Sequence, residues 1–348
     1  MNILILYVEI MPYNRPVFNE LVKAGYNLKI IQLDKRKLTP YTYAESSNID
    51  IRNISSFDSY ASFKRYCTNT APVLIMISEV MEKWYWQFAF HYHKQHKNIP
   101  IVLGSDAQWT GNINNRIKQF IHPFTYKRCF SHVLSAGMWQ CVYALKIGFK
   151  KEQILTPLYC ADNQLYHQVN IDDKQERYPK KFIFVGRLAP VKGIRQILEA
   201  WDSIKDRQGW SLTMIGNGEL AEEIEKHKDI QLLPFSSQNE ICDFMQQSGC
   251  ALVPSLYEPW GLVIHEAAAA GMPIIATKSC GAVHQFVVNG YNGFLIEENN
   301  TEALRKAMAK IINSKESKLL EMAKHSRRLS YKITPADVAA ALISLVCE

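Results

Sequence analysis

KFIFVGRLAPVKGIRQILEAW, residues 181–201, is the stretch that most directly indicates the architecture of this chain. Its apolar run ends at Val185, a glycine turn follows, and apolar residues recur with helical spacing from about Gly193 onwards. A buried strand that leads straight into a helix is the first part of a βαβ unit, in which the two strands run parallel. We therefore expect a parallel sheet wherever this succession repeats along the chain.

Short apolar runs alternate with helical patterns through most of the chain. Up to residue 165 the predicted strands are NILILYV, NLKIIQL, VLIMIS, IPIVLGS and SHVLSAG. From residue 181 onwards they are KFIFVGRL, WSLTMIGNG, IQLLPF, GCALVPS and PIIATKS. The polar, aperiodic segment near 161–180 separates the two series, and we expect a linker there. The pattern predicts an α/β protein of two Rossmann-like domains, residues 1–165 and 166–334, that face each other across a cleft.

The composition is that of an ordinary globular protein. With 348 residues, 47% of them apolar and 21% charged, the chain is long enough for two domains and is not disordered, collagenous or a coiled coil. Its eight cysteines form no Cys-x-x-Cys pair and several lie in apolar runs, which favours a reducing cytoplasm. The N-terminus lacks a basic secretory segment, and no apolar stretch reaches the roughly 18 residues that span a bilayer, so we expect any membrane contact to be peripheral.

The net charge of +7 is unevenly distributed along the chain. Residues 1–165 contain 19 basic and 11 acidic side chains, whereas residues 166–348 contain 21 and 22. Such asymmetry indicates an anionic partner, either a membrane surface, a nucleic acid or a phosphorylated substrate. A nucleic acid is disfavoured, because the basic half contains no helix-turn-helix, zinc module or ribonucleoprotein motif.

The basic segment RIKQFIHPFTYKRCF, residues 116–130, mixes cations with aromatic rings. Together with Trp84, Tyr85 and Trp86 it suits contact with anionic lipid headgroups. An amphipathic core helix with charged edges explains the same pattern, and the sequence leaves the two interpretations open.

SLYEPWGLVIHEAAAAGMPIIATKSCG, residues 255–281, is the stretch that carries most of the chemistry. Glu258 is placed in a loop after a strand, and a helix begins near Gly261. The backbone N–H groups of Gly261, Leu262 and Val263 then have no acceptor within the helix. Together with the positive end of the helix dipole, they form a site for an anion or a hydroxyl group.

Three charged side chains accompany these helix starts. Glu266 lies one turn into the later helix, where a carboxylate can accept hydrogen bonds from the vicinal hydroxyls of a ribose. Arg187 and Lys192 flank the turn of the earlier segment, where two cations can hold a diphosphate. Taken singly, each is more often a solvated side chain or a partner of the helix dipole.

Taken together, GRL…KG and S-x-x-E-P-x-G-L-V-x-x-E-A resemble the retaining GT-B glycosyltransferases of family 4, also called glycosyl transferases group 1. The resemblance is strong over roughly 180–300 and only architectural over 1–165. It implies that Arg187 and Lys192 contact the donor's phosphates, that Glu266 binds the ribose and that Glu258 approaches the transferred sugar. It also implies that the last helix, 335–348, joins the first domain. Backbone groups after the first glutamate are implied to hold sugar hydroxyls and phosphate, here Trp260, Gly261, Leu262 and Val263.

The segment GNGELA, residues 216–221, competes with this interpretation because it is a partial G-x-G-x-x-A dinucleotide fingerprint. An NAD site needs an acidic residue at the end of the next strand, and that strand ends in Pro234 and Phe235. We therefore interpret Gly216 as part of a tight turn that lines a nucleotide pocket, with Phe235 near the base.

The first half departs from the resemblance in two places. Many relatives have paired glycines after the first strand and a histidine late in the first domain, whereas this chain has Pro12 and Pro16 at the first place and Ser105-Asp106-Ala107 at the end of IPIVLGS. Asp106 is the candidate there, either to bind a donor hydroxyl or to take the acceptor's proton. An aspartate that caps the next segment explains it equally well.

No metal is expected at the site. His91, His93 and His96 cluster at a helix end without a nearby acid or cysteine to complete a ligand set, and no Asp-x-Asp motif occurs in the chain. The sequence thus predicts metal-independent chemistry without a cofactor beyond the co-substrate.

The combined hypothesis is a retaining glycosyltransferase that moves a hexose from a UDP- or GDP-sugar to a glycan or lipid-linked acceptor. We expect it in bacterial-type surface polysaccharide or lipopolysaccharide synthesis, in the cytoplasm, with a peripheral position on the cytoplasmic face of the membrane as an option. The alternative is a catalytically idle sugar-nucleotide-binding subunit of a polysaccharide assembly complex, which the missing histidine motivates.

Overall fold

The computed structural model of the chain describes residues 1–34, 47–78 and 82–346. It divides into two units. The N-terminal unit consists of Met1–Tyr159 and Pro335–Glu348, and the C-terminal unit consists of Cys160–Thr334. The division falls between residues 159 and 160, and the sequence pattern placed it between 165 and 166. Cys347, one of the eight cysteines, lies outside the described residues.

The N-terminal unit is built on a parallel sheet of seven described strands in the order β3-β2-β1-β4-β5-β6-β7. The strands are β1 (Asn2–Tyr7), β2 (Asn27–Gln32), β3 (Ile49–Asn53), β4 (Pro72–Ile77), β5 (Ile101–Ser105), β6 (His132–Ser135) and β7 (Ile154–Leu155). The five apolar runs of the first half are confirmed as strands, because strands covered on both faces need continuous apolar sequence. The edge strands β3 and β7 were missed, since β3 is only partly buried and β7 is two residues long.

The helices of this unit cover the sheet and supply an aromatic core. They are α1 (Asn14–Lys23), α2 (Tyr60–Asn69), α3 (Lys83–Gln95), α4 (Ile113–Thr125) and α5 (Met138–Lys146). Tyr85 is fully buried and its hydroxyl donates to the Ile31 carbonyl oxygen (2.9 Å). Trp86 packs edge-on against the buried ring of Phe130, with ring centroids 5.9 Å apart. The aromatic side chains predicted to face headgroups therefore belong in part to the core, and for Tyr85 that prediction was wrong.

The C-terminal unit contains a second parallel sheet, in the order β10-β9-β8-β11-β12-β13. Its strands are β8 (Lys181–Val185), β9 (Ser211–Ile215), β10 (Ile230–Leu233), β11 (Cys250–Val253), β12 (Ile274–Thr277) and β13 (Gly293–Ile296). The chain order reverses between β8 and β11, and the loops that follow these neighbouring strands lie side by side at their carboxyl ends. In open α/β sheets, ligands bind at this reversal.

The helices of the C-terminal unit include two short ones in the segment that was expected to be a linker. The helices are α6 (Asn163–Tyr166), α7 (Asp173–Glu176), α8 (Ile194–Asp202), α9 (Ala221–Glu225), α10 (Gln238–Gln246), α11 (Leu262–Ala269), α12 (Val283–Phe286), α13 (Thr301–Ile312) and α14 (Glu316–Ser330).

The prediction of a linker near 161–180 was wrong, since Tyr166, Lys174 and Tyr178 are buried in this unit. The ammonium group of Lys174 donates to the carbonyl oxygens of Met245 (3.0 Å) and Ser248 (2.9 Å) at the end of α10. These contacts explain how a polar, aperiodic sequence packs into the core: its buried lysine donates to carbonyl oxygens at a helix end.

The last helix, α15 (Pro335–Ile343), packs against α1 within the N-terminal unit. Its buried side chains are Val338, Ala339 and Leu342, which lie on one face at positions i, i+1 and i+4.

The turn between β8 and α8 depends on Gly193. Its φ of 73° lies in the left-handed region, where a side chain is disfavoured. A Cβ atom at this position would lie 2.1 Å from the carbonyl oxygen of Pro254, at the end of β11. The loops after the two neighbouring strands can approach this closely only because residue 193 has no side chain.

We predict that Gly193→Ala lowers the free energy of unfolding of the C-terminal unit by at least about 3 kcal/mol, because backbone strain and a backbone clash add together. Gly290→Ala is the matched control: Gly290 also has a positive φ (77°), but its Cβ would meet no atom within 4 Å. The control should cost about 1 kcal/mol. Urea unfolding followed by tryptophan fluorescence measures both, and equal losses would contradict the close approach.

Candidate functional site

The loop after β11 is held by hydrogen bonds on both sides. The Leu256 N–H donates to the Val191 carbonyl oxygen in the turn after β8 (2.8 Å). The Ser255 carbonyl oxygen accepts from the hydroxyls of Thr277 (2.6 Å) and Ser279 (3.0 Å) after β12. These bonds fix a surface loop that carries the candidate residues, and a fixed loop presents its groups without a large entropic cost on binding.

The main chain around Glu258 is also paired. The Glu258 carbonyl oxygen accepts from the N–H of Gly281 (3.1 Å), and the Trp260 carbonyl oxygen accepts from the N–H of Ala282 (2.8 Å). The indole ring of Trp260 is only 3% exposed and packs edge-on against Phe286. Trp260 is therefore a core residue whose ring anchors the loop, and its carbonyl oxygen already has a partner.

The structure brings Lys192 and Glu258 together. The Lys192 ammonium and the Glu258 carboxylate form an ion pair, with side chains 20% and 14% exposed. Partial burial strengthens their attraction relative to an exposed pair, yet both groups still reach solvent. Glu258 holds the Lys192 ammonium at the carboxyl ends of the central strands, where it was predicted to contact a diphosphate.

Arg187, the other predicted phosphate ligand, follows Gly186 at the end of β8 and is exposed. Among the described residues its guanidinium forms no ion pair. It therefore provides a cation at the same strand end whose donors are not occupied by a carboxylate.

Gly261 sets the start of α11, with a φ of 87°. A Cβ there would lie 2.9 Å from Cγ of Glu258, so the absence of a side chain leaves room for the Glu258 stem. The helix begins at Leu262, and its first N–H groups, at Leu262 and Val263, point out of the helix end without an intrahelical acceptor. Gly261 therefore adjoins both the Glu258 side chain of the ion pair and the free N–H groups at the start of α11.

Glu266 is partly buried one turn into α11. Burial raises the pKa of its carboxyl to about 7, and contacts with Tyr166 and Gln238 oppose part of that rise. The Tyr166 hydroxyl is buried and has no hydrogen bond of standard geometry, but it lies close enough to the carboxylate to affect its pKa. A carboxyl of this kind, desolvated and beside two polar groups, is suited to bind a ligand's hydroxyls.

Gly216 and Phe235 lie at the ends of the next two strands. A Cβ on Gly216 would lie 2.0 Å from the Gly186 carbonyl oxygen, and the Gly216 N–H donates to the Leu233 carbonyl oxygen (3.0 Å). Gly216 therefore allows two turns to pack and offers no free donor. The Phe235 side chain is 41% exposed, and the residue precedes α10, whose first residue is Gln238. Gln238 contacts Glu266, and Phe235 lies three positions before Gln238 in the sequence.

Asp106 lies in the N-terminal unit, directly after β5. Its carboxylate accepts a hydrogen bond from the hydroxyl of Tyr159. Burial, together with the Asp106 charge, raises the pKa of Tyr159 well above its usual value. The nearby Tyr7 hydroxyl accepts from the Asn14 amide (3.0 Å), and burial raises its pKa to about 12. The cap of the next helix is Asn112, which accepts from the Asn115 N–H (2.8 Å). The cap of α4 is therefore Asn112 and not Asp106, and the aspartate has protonated phenols as neighbours.

Several of these neighbours were missed from the sequence. Tyr166 lies in the segment that was taken for a linker, and Gln238 begins an ordinary capped helix. Tyr7 and Tyr159 lie at strand and loop ends, where an aromatic residue carries no motif. The sequence indicates these tyrosines only by their position at the end of, or after, an apolar strand.

The histidines of α3 have local roles. The Nδ1 atom of His91 lies 2.7 Å from the Gln87 carbonyl oxygen, and the His96 ring stacks on Tyr92 with centroids 4.3 Å apart. Within residues 1–34, 47–78 and 82–346, no three His, Cys, Asp or Glu side chains are grouped as metal ligands. The same residues contain no helix long and apolar enough to cross a membrane.

Comparison with known proteins relates most of the C-terminal unit to a family model. Residues 168–329 match the family model described as "Glycosyl transferases group 1". The chain is 35% identical over 140 residues to an uncharacterised glycosyltransferase of Methanocaldococcus jannaschii, covering 38% of each protein. It is 32% identical over 159 residues to an uncharacterised glycosyltransferase of Haemophilus influenzae, covering 43% of this chain and 44% of that protein. The matches thus span less than half the length of these curated relatives.

A solved structure extends the likeness in fold to the whole chain. The Anabaena protein HepE, crystallised with UDP and glucose, superposes with a TM-score of 0.73 at 16% identity and full coverage of both chains. Both units therefore have the GT-B type of fold, two parallel-sheet α/β domains, which confirms the predicted fold class.

Glu266 gives the stability of the protein a predictable pH dependence. Its folded pKa of about 7 lies above the unfolded value, so the contribution of the carboxyl to stability is fully present below about pH 4.5 and is lost as the pH rises through 7. Glu266→Gln mimics the protonated form. We expect the variant to gain about 1–3 kcal/mol in free energy of unfolding relative to the wild type between pH 5 and pH 8.5.

Urea titrations at the two pH values measure this difference. Glu222→Gln, which removes an exposed glutamate of the same unit, is the control and should show no such change. A pH-independent difference for Glu266→Gln would contradict the raised pKa.

Proposed function

Because residues 168–329 match the family model of the glycosyl transferases group 1, we propose that this chain transfers a hexose from a nucleoside diphosphate sugar to a hydroxyl of a glycan or lipid-linked acceptor, with retention of the anomeric configuration. The observation that carries the proposal is the ion pair of Lys192 and Glu258 beside the free N–H groups of α11. The reaction suits surface polysaccharide or lipopolysaccharide synthesis.

The donor's diphosphate fits the cationic end of this site. Arg187 is exposed, Lys192 reaches solvent, and the start of α11 supplies N–H donors and a partial positive charge. An arriving phosphate competes with Glu258 for the Lys192 ammonium. Because Glu258 already orders that side chain, binding loses less side-chain entropy than it would for a free lysine.

The nucleoside fits the neighbouring surface around Glu266. Its carboxyl beside Tyr166 and Gln238 can accept hydrogen bonds from both ribose hydroxyls, and the exposed ring of Phe235 offers a face on which a base can stack. The HepE structure holds UDP on a fold of the same type, which supports a uridine donor.

In the transfer, the bond from the anomeric carbon to the phosphate oxygen breaks and a bond to the acceptor oxygen forms. The nucleoside diphosphate leaves with the electron pair, and the acceptor hydroxyl loses its proton. The residues of the C-terminal unit act by stabilising the negative charge that develops on the leaving diphosphate. The Glu258 carboxylate lies where it can accept a hydrogen bond from the transferred sugar, and no covalent protein intermediate is needed.

The first test is donor turnover by phosphate-site variants. Lys192→Ala removes a cation that stabilises the leaving group, so kcat/KM for nucleoside diphosphate release should fall by at least 100-fold. Glu266→Ala should raise the donor KM about tenfold or more, because two hydrogen bonds to the ribose are lost. Lys228→Ala, an exposed lysine of the same unit, is the control.

Undiminished turnover in both variants would contradict the proposed site. Tight binding of UDP-sugars without released UDP, across a panel of acceptors, would instead favour an idle sugar-nucleotide-binding subunit.

The second test concerns Asp106, which we propose accepts the proton of the acceptor hydroxyl. Asp106→Asn should lower kcat by at least about 100-fold and leave the donor KM within twofold, since general-base catalysis contributes about that much. Tyr159→Phe removes the hydrogen bond to Asp106 and should cost about tenfold. Asp58→Asn, an exposed aspartate of the same unit, is the control. An unchanged kcat in Asp106→Asn would exclude this role.

A further inference from the structure

Helix α4 (Ile113–Thr125) has its apolar side chains on the solvent side. The residues at i, i+4, i+7, i+8 and i+11 form one stripe, and each is between 50% and 75% exposed: Ile113, Ile117, Phe120, Ile121 and Phe124. Isolated exposed apolar residues are ordinary, but a continuous stripe of five on one helix marks an interaction surface.

The opposite face of α4 is the one that contacts the protein, and it is polar. Asn115 is buried, and its side-chain oxygen accepts from the N–H (2.7 Å) and the hydroxyl (2.7 Å) of Thr110. The His122 ring stacks on Tyr126 with centroids 3.9 Å apart, and burial lowers its pKa to about 4, so it is neutral. Pro123 lies against Gly148. The helix is thus inverted relative to a core helix. The core-helix interpretation was wrong for α4, although Cys129 and Phe130, which end the predicted segment, are buried in the core.

Positive charge surrounds the apolar stripe. At about 100° per residue, Arg116 and Lys118 lie on the two sides of the stripe, and Lys127 and Arg128 follow the helix directly. The region from 107 to 151 contains no Asp or Glu and seven Lys or Arg residues. An apolar face flanked by cations is complementary to a lipid surface with anionic headgroups, and the helix is about 20 Å long.

We propose that α4 docks this protein onto an anionic lipid membrane, lying in the plane of the interface with the five apolar side chains inserted among the lipids. A second copy of the chain is a poorer occupant, because it would place the same cations opposite each other and repel. The proposal goes beyond the proposed transferase activity and does not rest on it, because docking needs neither donor nor acceptor.

The test is sedimentation of the full chain with vesicles of phosphatidylcholine, with and without 30% phosphatidylglycerol. We expect at least tenfold stronger partitioning onto the anionic vesicles, since each basic side chain at such a surface contributes about fivefold, and a loss of that gain at high salt. Phe120→Ser/Phe124→Ser should reduce the partitioning at least tenfold, because two phenyl groups no longer insert. Arg116→Gln/Lys118→Gln should reduce it by a similar factor.

Matched controls keep the apolar and the charge effects apart. Val288→Ser/Tyr331→Ser removes two exposed apolar side chains of the C-terminal unit, and Lys226→Gln/Lys228→Gln removes two exposed charges there. Both should bind as the wild type does. The α4 variants should keep the wild-type melting temperature, because Phe120 and Phe124 are more than 70% exposed.

Three outcomes would overturn the proposal. They are wild-type binding that does not depend on phosphatidylglycerol, equal losses in the α4 and control variants, and a dimer in solution that Phe120→Ser/Phe124→Ser converts to a monomer. Vesicle binding is measured without a sugar donor. Its failure would therefore not contradict the proposed transferase activity, which the turnover experiments test separately.

Discussion

The close approach of the two loops that follow β8 and β11 is the constraint on which the C-terminal site depends. These strands are neighbours at the point where the strand order reverses, so their loops must share one edge of the sheet. Gly193 permits contact with the Pro254 carbonyl group, and the Leu256 N–H then binds Val191 across the same gap. These main-chain contacts place residues 192 and 258 next to each other, so that their side chains form the ion pair. A side chain at residue 193 would separate the loops and with them the charges.

The architecture could be predicted because buried parallel strands leave a strong pattern. Strands covered on both faces are continuous apolar runs, and all ten predicted strands are present. The strands that were missed lack that pattern: β3 and β13 are only partly buried, and β7 has two residues. The segment 161–180 was mistaken for a linker because a buried lysine looks like a solvated one in a sequence. Only the position of two helix-end carbonyl oxygens explains why Lys174 is inside.

The candidate site was predictable to the extent that its residues lie in one local motif. Glu258, Gly261 and Glu266 are eight residues apart at most, and a strand, a loop and a helix start bring them to one place. The partner of Glu258 is 66 residues away, and nothing in the sequence indicates that Lys192 meets a carboxylate before it meets a phosphate. The same holds for Glu266, whose raised pKa arises from burial beside Tyr166 and Gln238. The partner of Lys192 and the burial of Glu266 depend on how the unit packs, and the periodicity of the sequence does not predict them.

Helix α4 shows a further limit of periodicity, because an amphipathic pattern specifies a stripe without specifying which side of the helix meets the protein. Ile117, Phe120 and Phe124 would fit a core as well as a membrane. The choice is made by Asn115, whose side-chain oxygen satisfies two donors of Thr110 and ties the polar face inward. Turning the helix over would leave those donors unpaired and move Arg116 or Lys118 towards the protein. The excess positive charge of the N-terminal half thus differs in kind from the two cations of the C-terminal site. It is spread around an apolar surface, where diffuse charge favours a planar anionic partner over a single phosphate group.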